Sequence, residues 1–515
     1  MHEIELKFLV EESTANQLWP RATSLGITAG KLTTKTLASV YFDTQDHALK
    51  KAGVTLRLRR DGRRWVQTVK ASAELHQGLS RARELETPAS GRHPDLEAIP
   101  DQEIRDEIIK RVNGAPLQSV CETVVERRSG TLVLENGTRA ELAIDVGEIR
   151  AQGRSEPFRE VEIELIEGSP RGLFDLAHKL LPDGGLTFSR LSKAARGYML
   201  ATEGRIGVPP TPSYAETVSL EAADGAEVVA RNILRECLRQ ITMNMEALRE
   251  LDVPEGPHQL RVGLRRLRSA FTAFAPALKS PEMSKLSQEA RWLGQEVGRL
   301  RNLDVLANDI VGAEARAHAD EPALAKLAAA LEKESAEIRG QVRTLMAEAR
   351  AQAFVIDLAR FVETRGWLSL EDVDQSGRLA APVSEIARQA LNKRWKKVRK
   401  QARGLQDLNT EQRHELRKEL KKLRYVAEFF APLFPAKKVD RFLKGLKKAQ
   451  TIFGDVNDGA NVRAHLSGFE ALSHDLGGQR AIGWMIGVSQ TRAEFAWAHA
   501  KGTWRKLVET GPFWK

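Results

Sequence analysis

Residues 3–8 read Glu-Ile-Glu-Leu-Lys-Phe. On an extended strand alternate side chains share a face. Glu3, Glu5 and Lys7 therefore point one way, and Ile4, Leu6 and Phe8 the other. The same two-sided writing returns further on. Arg57 and Arg59 alternate with Leu56 and Leu58, Lys70 follows Val69, and Asp145 follows Ile144. Glu160, Glu162 and Glu164 alternate with Val161, Ile163 and Leu165. A sheet that faces water ordinarily mixes Thr, Ser, Gln and Lys on its outer side. Here whole faces are carboxylate or guanidinium, with the signs segregated by strand. Three carboxylates on alternate positions repel one another unless a cation sits among them. The pattern predicts a closed barrel with a charged lumen and an apolar outside covered by helices. Cationic strands would hold phosphates through the bidentate reach of Arg. Acidic strands would hold Mg²⁺ or Mn²⁺, hard ions that prefer oxygen ligands.

Outward from this stretch the chain changes texture once. Short alternating segments separated by Gly and polar turns run to about residue 200. Residues 205–219 hold three prolines and read as a linker. From about 221 onward the pattern is helical, rich in Ala, Leu, Arg and Glu at period 3.6. The chain has 515 residues and a net charge of +10. Residues 1–210 hold 30 basic and 30 acidic residues, so all of the excess positive charge lies in the second half. A polyanionic partner is expected there. Two cysteines, Cys121 and Cys237, write neither a disulfide framework nor a Cys-based zinc site. No leader and no apolar run of spanning length is read, so a cytoplasmic place and no membrane partner are expected.

The second half repeats itself. His258-Gln-Leu-Arg261-Val-Gly-Leu-Arg265-Arg266-Leu-Arg268 recurs as His414-Glu-Leu-Arg417-Lys-Glu-Leu-Lys421-Lys422-Leu-Arg424, at an offset of 156. Gly298 with Arg301-Asn302 and Gly454 with Asn457-Asp458 keep that same offset. The chain thus contains a duplicated helical unit, expected as two bundles with pseudo-two-fold symmetry. On each helix His258, Arg261, Arg265 and Arg268, or His414, Arg417, Lys421 and Arg424, form one stripe. The apolar stripe opposite is Leu260, Leu264, Leu267 and Phe271, repeated as Leu416, Leu420, Leu423 and Ala427. Like charges at this spacing cost some tenths of a kcal/mol per pair without a counter-ion. A pattern kept twice argues for a bound anion.

The N-terminal residues resemble the CYTH family, the triphosphate tunnel metalloenzymes. Glu3-x-Glu5-x-Lys7 is followed in order by Tyr41-Phe-Asp43-Thr, Leu56-Arg57-Leu-Arg59, Thr68-Val-Lys70, Arg127, Asp145, Glu162-Ile-Glu164 and Leu191-Ser-Lys193-Ala-Ala-Arg-Gly. The resemblance covers residues 1–203 and implies an eight-stranded antiparallel tunnel. It implies Glu3, Glu5, Asp145, Glu162 and Glu164 as metal ligands, with Glu160 a rival to Glu164. It implies Lys7, Arg57, Arg59, Lys70, Arg127 and Lys193 as phosphate-binding cations, and these with Glu3 and Glu5 as the catalytic set. One departure stands out. Where many members carry Arg-x-Glu-x-Glu, this chain has Ala82-Arg-Glu84-Leu-Glu86. Arg81 and Arg83 have the wrong parity for the lumen unless a bulge re-aims one.

The residues from 221 to 515 resemble the CHAD domain, a helical module associated with CYTH enzymes and polyphosphate granules. The resemblance implies a basic surface that grips polyphosphate through His258, Arg261, Arg265, Arg266, Arg268, His414, Arg417, Lys421, Lys422 and Arg424. Arg301, Lys393, Arg394, Lys396 and Lys397 are further candidates. Asn302 stands where an Asp is usual, and Asp304 is its possible replacement. A helix-terminating turn is the expectation for Gly454 and Asp458.

The fold expected is thus α+β and multidomain: a β-tunnel over 1–203, a linker over 204–220, and two helical bundles over 221–515. The function expected is hydrolysis of inorganic triphosphate to pyrophosphate and phosphate, with Mg²⁺ or Mn²⁺, and long-chain polyphosphate held by the helical domain, at granules. The alternatives are a non-catalytic granule-binding protein and an enzyme acting on thiamine triphosphate or ATP. Aromatics are only 6% and no base-reading motif appears, which disfavours nucleic acid. No P-loop is present. His47, His76, His93 and His178 are scattered rather than clustered as metal ligands would be. Oligomeric state is left open.

Overall fold

The computed structural model describes residues 2–62, 64–182, 186–369, 371–472 and 474–515. Two compact units divide the chain: Met1–Pro209 with Ala347–Thr364, and Pro210–Met346 with Arg365–Lys515. Among the described residues no helix is long and apolar enough to cross a membrane.

The first unit is built on β1 (His2–Val10), β2 (Thr28–Asp43), β3 (Thr55–Asp61), β4 (Arg64–His76), β5 (Leu79–Ala89), β6 (Gln118–Val133), β7 (Arg139–Ala151), β8 (Arg154–Glu167) and β9 (Leu186–Phe188). The order is β5-β4-β3-β2-β6-β7-β8-β1-β9, and β5 also pairs with β1. That last pairing closes eight antiparallel strands into a barrel and leaves the three-residue β9 as an appendage on β1. Closure removes the exposed edges that an open sheet would have to protect.

The alternation of the sequence decides what faces in. Leu6, Phe8, Leu56, Leu58, Val69, Val161 and Ile163 are at most 1% exposed. They lie on the outer side of the wall, under helices. The helix Gln102–Val112 puts Ile104, Ile108 and Val112 against Leu56, Leu58 and Val69. The helix Lys193–Glu203 packs Ala194, Tyr198 and Leu200 on Cys121, Val125 and Ile149. Each fully buried Leu or Phe contributes roughly 1.5–3 kcal/mol, so the apolar outside of the barrel carries its stability and the inside is left free for charge. A helix from the second half of the chain, Ala349–Glu363, also belongs to this unit. It packs on Pro170–Leu180, where Asp357 Oδ1 lies 2.9 Å from His178 Nε2 and Arg360 donates to Asp175 at 3.1 Å.

The register settles the departure at Ala82. Ala82 is opposite Glu3, and Glu84 is opposite Lys70, so both belong to the lumen face. A bulge does occur, in β4 between Ala71 and Glu74, with Ser72 at φ +51°. It does not turn an arginine inward: Arg83 pairs with Asp101 and Arg81 with Glu363, outside the lumen.

The second unit repeats a three-helix motif. Ala226–Glu250, Glu255–Ala273 and Pro281–Asp304 form the first copy; Val383–Gln401, Thr410–Phe430 and Ala436–Leu466 form the second. The apolar stripes of the two basic helices form the core: Leu260, Leu264, Leu267, Leu416, Leu420 and Leu423 are at most 1% exposed. The basic helices Glu255–Ala273 and Thr410–Phe430 pack on each other, with Phe274 and Phe430 rings 5.6 Å apart near their ends.

Gly147 marks where the wall tolerates no side chain. A Cβ there would lie 2.1 Å from the Val124 carbonyl oxygen, on the neighbouring strand. Backbone cannot step aside as a flexible side chain can. Gly147→Ala is expected to lower stability by about 1–3 kcal/mol, measured as a fall in the urea midpoint with an unchanged slope.

Candidate active site and polyanion cleft

Register alone brings the ionic residues of the barrel together. Lys7 is opposite Glu162, and Glu5 opposite Glu164. Asp145 is opposite Arg127 on one side and Glu160 on the other. Directly opposed residues share a face, so all of these enter the lumen. Lys193 joins them from the first turn of its helix, whose N-cap is Ser192.

At the heart of the lumen, cations and carboxylates pair completely. Glu162 accepts from Lys7 (2.7 Å), Lys193 (2.7 Å) and Arg127 (2.6 Å). Arg127 also grips Asp145 with two hydrogen bonds of 2.7 Å. Lys193 also reaches Asp145 at 2.9 Å and Glu160 at 2.6 Å. Burial by itself would push the Glu162 and Asp145 carboxyls up, but the cations outweigh it. Lys193, Lys7 and Arg127 hold Glu162 well below the usual carboxylate range, and Lys193 and Arg127 lower Asp145. Burial likewise opposes the charge on Lys7, yet Glu162 and Glu5 keep its ammonium well above the ordinary value. Glu160 is fully buried and accepts from Ser189 and Arg196 as well as from Lys193. Its place is behind Lys193, whereas its rival Glu164 lies beside Glu3 and Glu5.

The strands beside this core carry unequal charge. Glu3, Glu5 and Glu164 lie near one another. Burial first, then the Glu3 and Glu5 charges, push Glu164 up to about 7. Burial also raises Glu5 and Glu3, despite Lys7 beside the one and Lys70 beside the other. Across the barrel Arg57 faces Glu84 at 3.5 Å, and Arg59 faces Glu86 at 2.9 Å. Burial and the neighbouring Arg57 push Arg59 down. The lumen thus holds a carboxylate-rich wall and, across from it, two arginines paired with Glu84 and Glu86. Among the described residues no three His, Cys, Asp or Glu side chains already converge as metal ligands. The donor set nevertheless suits a hard divalent ion: all oxygen, mutually repelling, and raised toward protonation first by burial.

The helical unit holds the second site, a cleft of about 2080 Å³ between the two basic helices and their neighbours. His258, Arg261, Arg265, Arg268, His414, Arg417, Lys421, Lys422 and Arg424 all line it. Arg291, Arg301 and Arg394 line it too. Its electrostatics are the reverse of the tunnel core. Burial, followed by Arg265 and Arg417, drives Arg261 down to about 9. Burial and the same two arginines drive Lys421 down to about 6. Arg268 and Arg417 are lowered for the same first reason. Among the described residues the buried Nε atoms of Arg261, Arg268 and Arg417 have no hydrogen-bond acceptor. His258 is lowered by burial and by Arg301, which favours its neutral ring.

Four expectations need correction or placement. Arg266 does not line the cleft: it is 6% exposed, donates to Glu428 at 3.1 Å and lies 4.8 Å from the Phe429 ring centre, so it is a packing residue. Asp304 does not replace the missing acid. It is buried and bound to Ser335 and Arg339, while Asn302 itself accepts from Arg261 at 2.8 Å. Neither Gly454 nor Asp458 ends a helix, since both lie inside Ala436–Leu466; Gly298, the counterpart of Gly454, lies inside Pro281–Asp304. A Cβ on Gly298 would stand 3.3 Å from the Arg261 guanidinium, so there glycine gives the arginine its place. Nothing in the structure explains Gly454, around which there is open space.

Sequence reasoning missed Ser189 and Arg196, the buried partners of Glu160, and Arg291 of the cleft. Arg196 sits one helical turn after Lys193, and that spacing was the available signal.

Residues 1–198 match the CYTH domain family model, and residues 232–467 match the CHAD domain family model. An uncharacterized protein of Mycobacterium tuberculosis (strain H37Rv) is 26% identical over 502 residues, 90% of this chain and 88% of its own. An inorganic triphosphatase of Haemophilus influenzae is 29% identical over 168 residues, 32% of this chain and 46% of that protein. Among solved structures, the CHAD domain of the plant Ricinus communis aligns with a TM-score of 0.49 and 26% identity, covering 58% of this chain and 96% of that one.

The depressed Lys421 carries a stability consequence. Its unfolded value is the ordinary one, so the unfolded chain binds this proton more tightly than the folded protein does. The resulting destabilisation is complete below about pH 6 and fades as pH rises toward about 10. Lys421→Met is expected to be more stable than the parent by about 1–4 kcal/mol in anion-free buffer near pH 6. The gain should shrink steadily in denaturation series run toward pH 10.

Proposed function

The chain belongs to the proteins that join a CYTH domain to a CHAD domain, and from that premise we propose that its barrel is a metal-dependent inorganic triphosphatase and its helical cleft a polyphosphate-binding site. The observation that carries the first part is the lumen itself: buried ions of both signs, enclosed by eight strands whose outside is apolar. Such a lumen suits a small, linear, highly charged substrate and offers nothing to an apolar one. The similarity to an inorganic triphosphatase over the barrel supports the same choice.

In this reading Lys7, Arg57, Arg59, Lys70, Arg127 and Lys193 take the phosphate oxygens. Each now holds a carboxylate or a hydroxyl; Lys70, for instance, meets Glu3 and, at 3.2 Å, Glu84. A phosphate oxygen entering the lumen replaces that partner with a more highly charged one. Glu3, Glu5 and Glu164, with Asp145 and Glu162 as their cations turn to substrate, would hold Mg²⁺ or Mn²⁺. Bound there, a divalent ion would neutralise phosphate charge and acidify the attacking water. The residues do positioning and electrostatic work: they hold three phosphates in line and stabilise the charge that develops as water adds to the terminal phosphorus and the bond to pyrophosphate breaks. Glu160, backed by Arg196 and Ser189, keeps the Lys193 ammonium in place.

The cleft is read as the polyphosphate site because cations outnumber carboxylates along its lining, and Arg261, Arg268, Arg417 and Lys421 are pushed down by burial and by neighbouring cations. An extended polyphosphate chain would restore charge to Lys421 and give acceptors to the orphaned arginine nitrogens. A cytoplasmic place at polyphosphate granules goes with this reading.

The test is phosphate release by purified full-length protein from tripolyphosphate, ATP and thiamine triphosphate, each with Mg²⁺ or Mn²⁺. Tripolyphosphate is expected to be the preferred substrate, and no release from it would defeat the assignment. Lys7→Ala and Glu5→Ala should each cut kcat by on the order of 10²–10³. Arg83→Ala, on the outer side of the same wall, should leave kcat unchanged.

A further inference from the structure

The duplication supplies an internal control on charge. In the helix Val383–Gln401, seven Lys/Arg stand against one Glu. Its counterpart at the 156-residue offset, residues 227–245, has three against two. In residues 436–448, six Lys/Arg stand against one Asp; the counterpart, 280–292, has two against two. The fold therefore does not require this charge, because the first copy forms the same helices without it.

The charge lies on exposed stripes. Lys393, Lys396, Lys397 and Lys400 recur at i, i+3, i+4 and i+7, opposite the buried Leu391, Trp395 and Val398. Lys437, Arg441, Lys444 and Lys448 recur at i, i+4, i+7 and i+11, opposite the buried Val439, Phe442 and Leu446. Trp395 and Phe442 meet with ring centres 5.6 Å apart and the Trp514 ring packs on both, so the two helices share one core. Among the described residues, Lys397 alone of these eight has an ion-pair partner, Glu419 at 3.0 Å. That carboxylate also takes Arg394 at 3.2 Å and Lys422 at 2.6 Å, both of which line the cleft. The stripe of the helix Val383–Gln401 is thus continuous with the cleft rim.

We propose that this lysine face is an outer track for polyphosphate: a chain seated in the cleft leaves over Arg394 and runs along the two stripes. The proposal rests on the polyphosphate reading of the cleft and adds a preference for chain length. Residue type supports the division of labour. The cleft is mostly arginine, which fixes phosphate geometry, whereas the face is mostly lysine, a point charge suited to a mobile chain. Among the described residues neither face exposes a large apolar side chain, so nothing there anchors in a bilayer.

The test uses full-length protein carrying Lys393→Gln, Lys396→Gln, Lys400→Gln, Lys437→Gln and Lys444→Gln together. Lys397 stays, because Glu419 holds it. Glutamine keeps helix propensity, and circular dichroism with a thermal scan verifies the fold. Affinity is measured for a short-chain polyphosphate, no longer than the cleft, and for a long-chain one, at two salt concentrations. The variant should lose on the order of tenfold for the long chain, with a shallower salt dependence, and keep its affinity for the short one. Restoring charge with arginine at the five positions should recover the long-chain affinity. Equal loss on both lengths, or none on either, overturns the track. A loss that appears instead on duplex DNA or on phosphatidylglycerol vesicles also overturns it and reassigns the face. A parent protein that binds neither polyphosphate shows the cleft reading itself to be wrong, a result distinct from failure of the track alone.

Discussion

Glu162 is met by three cations, Lys7, Arg127 and Lys193, each within 2.7 Å. A carboxylate with 6% exposure is tenable only on such terms, because a charge taken out of water must be repaid by opposite charge and hydrogen bonds. The rest of the barrel is arranged around that requirement. The cations come from β1, β6 and the helix after β9, so the strands must close for Glu162 to be satisfied. Closure in turn leaves the apolar residues of every strand outside, where helices cover them. A wall written the other way round would strand the charges under the helices and leave the leucines in an ionic lumen. The ion cluster adds little net stability, since desolvation offsets most of its attraction. What it supplies is specificity of register, because a slip of one residue would turn every partner away.

The tunnel core and the helical cleft apply one rule with opposite outcomes. In the core, each charge has its opposite and the carboxyls stay ionised. In the cleft, Arg261, Arg265, Arg268, Arg417 and Lys421 crowd together, and Lys421 falls to about 6. The carboxylate-rich wall of the tunnel is the mirror image, with Glu164 raised to about 7. The first gathers positive charge and the second negative charge, so the ligands proposed for them are of opposite sign.

Much of the barrel is legible because a β face repeats every two residues, so a strand writes its environment directly into its sequence. Glu3-x-Glu5-x-Lys7 and Glu160-x-Glu162-x-Glu164 need no partner to show their parity. What joins strands is not written that way. The β5–β1 closure, the placing of Glu160 behind Lys193 and the seating of Ala82 opposite Glu3 follow from register, which a single strand does not carry. Ser189 and Arg196 were missed because they act on Glu160, two contacts from the lumen. The helix Ala349–Glu363 is apolar around most of its circumference, so its periodicity names no preferred face, and its membership in the barrel unit is invisible in sequence. For Gly454 a turn was the natural reading, since glycine is the commonest helix stop. In the structure its homologous position makes room for a guanidinium, a constraint that only the neighbouring helix can impose.

The two copies of the helical unit show how duplication lets charge be redistributed over one scaffold. Both keep the apolar stripe, because the core admits no other solution. Their ionic surroundings differ. Arg261 is answered by neutral Asn302, whereas Arg417 is approached by Asp458. Arg301 of the first copy corresponds to uncharged Asn457, which holds His414 at 2.8 Å. The first copy is therefore the more cationic inside the cleft, and the second the more cationic on its outer helices. A polyanion would meet its strongest field at the first half of the cleft, and what extends beyond the second half would still lie along positive charge. Since fields add over distances of about 8 Å at physiological salt, a surface continuous with the cleft extends its reach without a single new contact inside it.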